Sequence, residues 1–362
     1  MIFLVNNQTY FFAVFLMNYK RDFGALSIFL LILEIFGFLW GAILTIRGCL
    51  VITQTRVFNR NLNICLSGIL MQWMENMVGR LMIMPYQKGW IQLPGNDPKK
   101  IYSEFLTNST SEMILVKNSF CDFPFFSTGS ILLSHYMVFA ILALTGITVE
   151  RSLATFWIND YEKKPRRWIP IFVLLALQTT SWLIAFSAIN VLLNIYIWLV
   201  IGVLVLITNF VLFGYIWYWN IRVHRVLDNS IFIPSKYTLQ ARFQAKENAR
   251  SLEFLKVTVF TVSLVLLLQC LFFILQSSNV FQDYEVILYY LVDFCNAGHP
   301  VVLIPMAMIS VPVWKKKFFG HLHCVKKVCS RKTLPMVDVV KQPISLKMET
   351  DQYFSQFNKA WN

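Results

Sequence analysis

The chain has 362 residues, 57% of them hydrophobic, 16% aromatic and only 14% charged, where a soluble domain carries about 25% charged residues. Its 32 Phe, 14 Tyr and 11 Trp exceed what a water-soluble fold can cover, whereas a bilayer protein has lipid as its solvent. The net charge of +13 suggests a nucleic-acid binder, but the Lys and Arg residues sit between apolar stretches and in the tail, which excludes that reading and favours membrane loops.

A helix needs about 20 apolar residues to cross the hydrocarbon core. Stretches of that kind are predicted at roughly 23–46, 62–84, 125–148, 168–188, 195–219, 257–276 and 286–310. The expected fold is an all-α membrane protein, a seven-helix bundle over 23–310. Residues 1–22 are expected outside, and the tail 311–362 in the cytoplasm. The first segment carries the sequon Asn7-Gln-Thr and lacks the basic n-region of a cleaved signal, so the first span is expected to act as the insertion signal. Span one contains Glu34. Span two is the most polar, with Gln72, Glu75, Asn76 and Arg80; Gln72, Glu75, Asn76 and Gly79 share one helical face. The loop after it holds the second sequon, Asn108-Ser-Thr, and Cys121.

Span three contains His135 and ends in Thr148-Val149-Glu150-Arg151-Ser152. An acidic–Arg pair at that point serves either as a breakable ion pair, resting when closed and free to meet a cytoplasmic partner when open, or as an ordinary interfacial cap. Spans four and five form a hairpin, broken at Asn190 and Asn194. Before span six, Arg242, Lys246 and Arg250 recur every four residues, giving a basic stripe for a G-protein α subunit or for anionic lipid. Span seven carries Asp293, Asn296 and Pro300 on one face, with His299 beside them; with Glu34, Gln72, Glu75 and Asn76 they form an intramembrane polar network that either couples a ligand cavity to the inner face or only fixes helix packing. A short interfacial helix is expected at about 313–323, and beyond it Cys324 and Cys329 are either palmitoylated or unmodified thiols.

Orientation follows from charge. Most of the 32 Lys and Arg fall in the loops after spans one, three and five and in the tail. Only Lys20, Arg21, Lys88, Lys99, Lys100 and Lys117 lie on the other side, which also holds both sequons. The seven cysteines include no CxxC pair, and there is no H-x-x-x-H or G-x-S-x-G motif. No metal, cofactor or catalytic residue is expected, and no enzyme.

Seven spans, an outside N-terminus, Glu150-Arg151 and a Pro-containing last span resemble G-protein-coupled receptors. Two segments are similar to the nematode chemoreceptors of serpentine receptor class epsilon: Glu150-Arg-Ser-Leu-Ala-Thr-Phe-Trp-Ile-Asn-Asp-Tyr-Glu162 and Arg242-Phe-Gln-Ala-Lys-Glu-Asn-Ala-Arg250. The resemblance covers essentially the whole chain. It implies a chemosensory receptor in the plasma membrane of sensory-neuron cilia, binding a small molecule from outside and signalling to a heterotrimeric G protein. Departures from the large rhodopsin-like class are Ser152 in place of Tyr after the pair, His299-Pro300 without a following N-P-x-x-Y tyrosine, no Pro in span six, and no Cys in the outer loop Ile189–Asn194. Span seven holds no Lys for a retinal Schiff base. The competing readings are a ligand-gated channel and a transporter. Against the transporter, the chain shows no internal repeat.

Overall fold

A computed structural model describes residues 1–16, 25–55, 57–93, 106–116, 123–157, 166, 168–192, 194–229, 239–278 and 284–320. The described elements are strands β1 (Ile2–Val5), β2 (Gln8–Phe11) and β3 (Ile114–Val116), and nine helices. The helices are α1 (Ala25–Gln54), α2 (Arg60–Met71), α3 (Trp73–Gln87), α4 (Pro124–Phe156), α5 (Trp168–Ile189), α6 (Ile195–Asn229), α7 (Leu239–Ser277), α8 (Glu285–Ser310) and α9 (Pro312–Phe319).

Six of these helices contain apolar runs long enough to cross a membrane: Ile28–Gln54, Pro124–Phe156, Trp168–Ile189, Ile195–Leu227, Arg242–Ser277 and Ile287–Ser310. Their outward faces expose large apolar side chains, among them Ile28, Phe36, Phe172, Leu183, Leu204 and Val211. Water would not tolerate so continuous an apolar surface, and lipid does. The protein is thus a multi-pass membrane protein. The stretch 62–84 is not one such helix, since it divides into the 12-residue α2 and the 15-residue α3 at Gln72. Gln72 keeps helical dihedrals (φ −60°, ψ −25°), and its N–H still donates to the Gly68 carbonyl at 3.3 Å. One tighter bond, Glu75 N–H to the Gln72 carbonyl at 3.0 Å, marks the step between the two pieces.

The amino-terminal segment folds against one end of the bundle. β1 and β2 form an antiparallel hairpin in register Ile2↔Phe11 to Val5↔Gln8, and β3 pairs in parallel on the other side of β1. The two-residue turn needs positive φ at both centres, and Asn6 (φ 46°) and Asn7 (φ 65°) supply it, as Asn does more readily than most residues. After β2 the chain runs inward as a strap in which Phe12, Val14, Phe15 and Leu16 are buried. Their core joins Ile83 and Tyr86 of α3, Phe126 and Leu133 of α4, Ile189 of α5, Ile195 of α6, Phe273 of α7 and Tyr289 of α8. At the opposite end α9 turns Trp314 and Phe318, four residues apart, inward and leaves Lys316 and Lys317 exposed. Phe58, Phe254 and Trp314 there form a three-ring cluster with centroids 5.1–5.3 Å apart.

α3 and α4 cross at two glycines. A Cβ on Gly79 would stand 2.9 Å from the Gly129 carbonyl, and one on Gly129 would stand 2.8 Å from the Gly79 carbonyl. Backbone cannot yield as a side-chain tip can, and close helix approach through small residues is what holds membrane helices together. Gly79→Ala or Gly129→Ala is therefore expected to cost about 1–3 kcal/mol by overpacking. The pair should be less than additive, because one separation of the helices accommodates both methyls. Thermal unfolding of the detergent-solubilised variants measures this; wild-type midpoints for both would contradict the crossing.

Candidate functional site

Arg80, 2% exposed, is the hub of the bundle half nearest the sheet. Its Nε donates to Glu34 Oε1 of α1 at 2.6 Å, and its Nη2 pairs with Asp293 Oδ2 of α8 at 2.5 Å. Nη1 donates to Tyr289 Oη at 2.5 Å and also to Gln87 Oε1. One guidinium fork thus ties α1, α3 and α8 together with charge-assisted bonds, the strong kind. Sequence reasoning names Glu34 and Asp293 as separate costs and notes Arg80 only as a charge in span two. The signal was present, because Asn76, Arg80, Ile83 and Gln87 recur on one face of α3 and all are buried.

The polar face expected from Gln72 to Gly79 divides in two. Gln72 and Glu75 turn toward α4 and α5: Gln178 Nε2 donates to Gln72 Oε1 at 2.7 Å, Gln72 bonds Glu75, and Glu75 Oε1 meets His135 Nδ1 at 2.7 Å. His135 Nε2 lies 2.7 Å from Ser181 Oγ, and its ring stacks on Trp182 with centroids 4.2 Å apart. Asn76, about 100° further round the helix, turns to α8 instead. There Pro300 has no N–H, which leaves the Asn296 carbonyl without its usual partner four residues on. Trp73 Nε1 at 2.9 Å and Asn76 Nδ2 at 3.4 Å donate to that freed carbonyl. The Asn296 side chain accepts from Gln269 Nε2 of α7 at 2.8 Å, and His299 Nδ1 lies 2.7 Å from Tyr136 Oη of α4.

At the far end Glu150 and Arg151 are both buried and bidentate, Nε to Oε2 at 2.5 Å and Nη2 to Oε1 at 2.7 Å. Arg151 Nη1 continues to Ser251 Oγ of α7 at 2.7 Å, and Asn248 Nδ2 donates to the Ala154 carbonyl at 3.2 Å. Thr155 and Asn220 bond each other, adding α6 to this junction. Of the basic stripe, Lys246 is exposed and Arg242 half-buried. Arg250 turns inward to the Val57 carbonyl and Glu247, its guanidinium 5.4 Å from the Phe58 ring centroid. Asn7 and Asn108 are both exposed, one in the β1–β2 turn and the other just before β3 of the same sheet. Cys324 and Cys329 lie outside the described residues.

Two concavities can be compared as ligand sites. A groove of about 350 Å³ between α3 and α4 is lined by Val78, Leu81, Met82, Pro85, Tyr86, Ile91 and Phe125, and it opens outward without a charged side chain to orient a guest. The other, beneath the strap, is bordered by Gln276, Asp293 and Asn296 among apolar neighbours, and has room for about one water molecule, ≈ 10 Å³. Only the second joins convergent polar groups to the Arg80 hub.

Removing Arg80 would leave two carboxylates buried and unpaired, which costs about 3–5 kcal/mol. Arg80→Met is therefore expected to lose most surface expression and thermal stability. Glu34→Gln with Asp293→Asn should restore much of both in the Arg80→Met background. A triple variant no more stable than Arg80→Met would show that Arg80 acts by packing and not by charge.

Compared with known proteins, the family profile described as Sre G protein-coupled chemoreceptor matches residues 1–362. Serpentine receptor class epsilon-38 of Caenorhabditis elegans is 26% identical over 98% of each chain. Serpentine receptor class epsilon-45 of the same organism is 27% identical over 100% of each, and class epsilon-37 is 26% identical over 98% of this chain and 97% of that one.

Proposed function

The chain belongs to the Sre family of G protein-coupled chemoreceptors, and from that premise we propose that it is a seven-span plasma-membrane receptor that takes a small-molecule ligand at the end carrying the sheet and signals to a heterotrimeric G protein at the end carrying Glu150–Arg151. The family match over residues 1–362 carries this reading. The seventh span is the pair α2–α3. Arg60–Gln87 would reach roughly 42 Å at helical rise, more than the hydrocarbon core needs. The core at the sheet end supports the count, since the strands pack with the ends of α3, α5 and α7 and the starts of α4, α6 and α8. Both sequons belong to that same end, which supports an outside N-terminus.

The Glu150–Arg151–Ser251 connection reads as the resting latch between α4 and α7. A ligand that binds better to an arrangement with the latch open shifts the population toward it. Ser251→Ala removes a hydrogen bond to a charged group, worth about 1.5–3 kcal/mol, and leaves the fold otherwise intact. Basal signalling with co-expressed G protein should rise several-fold in this variant, while Arg151→Ala should abolish the response to an activating compound. A ligand-evoked current in cells lacking G protein would sink the receptor reading in favour of a channel.

The sheet supports a second expectation. Peptide N-glycosidase should shift the electrophoretic mobility of the mature receptor, and Asn7→Gln with Asn108→Gln should abolish the shift. Its absence in the wild type would remove the sequons as support for the orientation.

A further inference from the structure

The cavity that borders Asp293 and Gln276 has almost no free volume, ≈ 10 Å³, where small-molecule sites run to about 300 Å³ or more. No ligand larger than water fits unless part of its wall moves. Most of that wall is helix: Met137 of α4, Phe273 and Gln276 of α7, and Val292 and Asp293 of α8. The exception is Ala13, which belongs to the non-helical strap after β2. Aromatic contacts seat the strap on either side of Ala13. Phe11 meets Phe273 with centroids 6.3 Å apart, Phe12 meets Phe126 at 5.9 Å, and Phe15 meets Tyr289 at 5.5 Å.

In the cavity wall one polar group lacks a partner. Gln276 is 3% exposed, and its Nε2 has no hydrogen-bond partner among the described residues. Such a donor in a dry site is costly until an acceptor reaches it. Asp293 is already held by Arg80, and its charge disfavours an anion beside it.

We propose that the strap Phe12–Leu16 is the built-in occupant of the ligand site, and that its withdrawal opens, between α4, α7 and α8, a cavity for small uncharged molecules carrying one hydrogen-bond acceptor for Gln276. The proposal rests on the receptor reading above and names the ligand class and the gate of that site. Withdrawal of Phe15 also frees a face of Tyr289, the residue whose hydroxyl bonds Arg80. The gate and the charged hub therefore share a side chain.

The test needs neither agonist nor G protein. Val292→Cys is introduced into the full-length receptor in lipid nanodiscs, with Cys295→Ser to remove the native thiol three residues on, and its reaction with methyl methanethiosulfonate is followed by mass spectrometry with the label located by fragment ions. Gln8→Cys, at the exposed start of β2, sets the unhindered rate. With the strap intact the Val292→Cys site should be protected. Phe12→Ala with Phe15→Ala should speed its reaction about ten-fold or more, which corresponds to about 1.4 kcal/mol of closure. If that variant yields no folded receptor, Ala13→Arg, too large for the filled cavity, serves to expel the strap.

Equal rates with the strap intact and dislodged would overturn the proposal. So would protection that persists when a Val14→Cys reporter, at a position buried while the strap is seated, shows the strap to be out. In the opened cavity the uncharged reagent should gain more than its anionic sulfonatoethyl and cationic trimethylammonium counterparts, each scaled to its rate at Gln8→Cys. Equal gains would overturn the assignment to uncharged ligands. Failure of the labelling leaves the receptor reading standing on its own signalling test.

Discussion

A guanidinium buried among packed helices must be surrounded by acceptors, and this requirement organises half the bundle. Arg80 reaches Glu34, Asp293, Tyr289 and Gln87, so the helices that carry them cannot drift apart without leaving a buried charge unpaired. The cluster also has to be dry from above. The strap supplies the cover by packing Phe15 on Tyr289, and the hairpin holds the strap in place through its tight Asn6–Asn7 turn. The N-terminal segment thus packs on the residue that Arg80 holds, through Phe15 on Tyr289.

α8 passes that constraint along the bundle. Tyr289 and Asp293 face Arg80, and the next turn carries Asn296, whose carbonyl Pro300 releases to Trp73 and Asn76 of α3. A proline that frees a carbonyl normally weakens a membrane helix, yet here the freed acceptor becomes a cross-link to a neighbour. His299 then meets Tyr136 on α4, the helix that carries Glu150–Arg151 in its last two turns. Each step joins two helices by a directional bond, and such bonds favour discrete arrangements over gradual deformation.

How far the sequence alone reaches can be judged residue by residue. The long apolar runs are legible because lipid demands them, and Pro300 already implies a freed carbonyl at Asn296. The division at Gln72 is harder to read, since one residue with helical dihedrals separates α2 from α3. Arg80 is undervalued because its partners Glu34 and Asp293 are distant in sequence and become visible only when α1 and α8 are brought beside it. The hairpin has its own signature, Ile-Phe-Leu-Val before Asn6-Asn7 and Gln-Thr-Tyr-Phe after it, but a 1–22 segment outside a membrane invites no search for strands. Arg250 illustrates the limit of periodicity: it falls on a basic stripe with Arg242 and Lys246, while the ring of Phe58 and the carbonyl of Val57 turn it inward.

The two ends of the molecule set opposite demands on any ligand. Opening the latch at Arg151 requires separating a buried bidentate pair from Ser251, and opening the strap requires uncovering four buried side chains. A ligand shifts the equilibrium only by its differential affinity for the open arrangement. An uncharged molecule replacing the strap beneath Phe126 and Phe273 recovers the lost apolar contact and adds the bond that Gln276 lacks. The unmatched donor is therefore what allows a small guest to outcompete a tethered strap of similar apolar character, and two of the three helices that line its cavity, α4 and α7, are those that the latch joins.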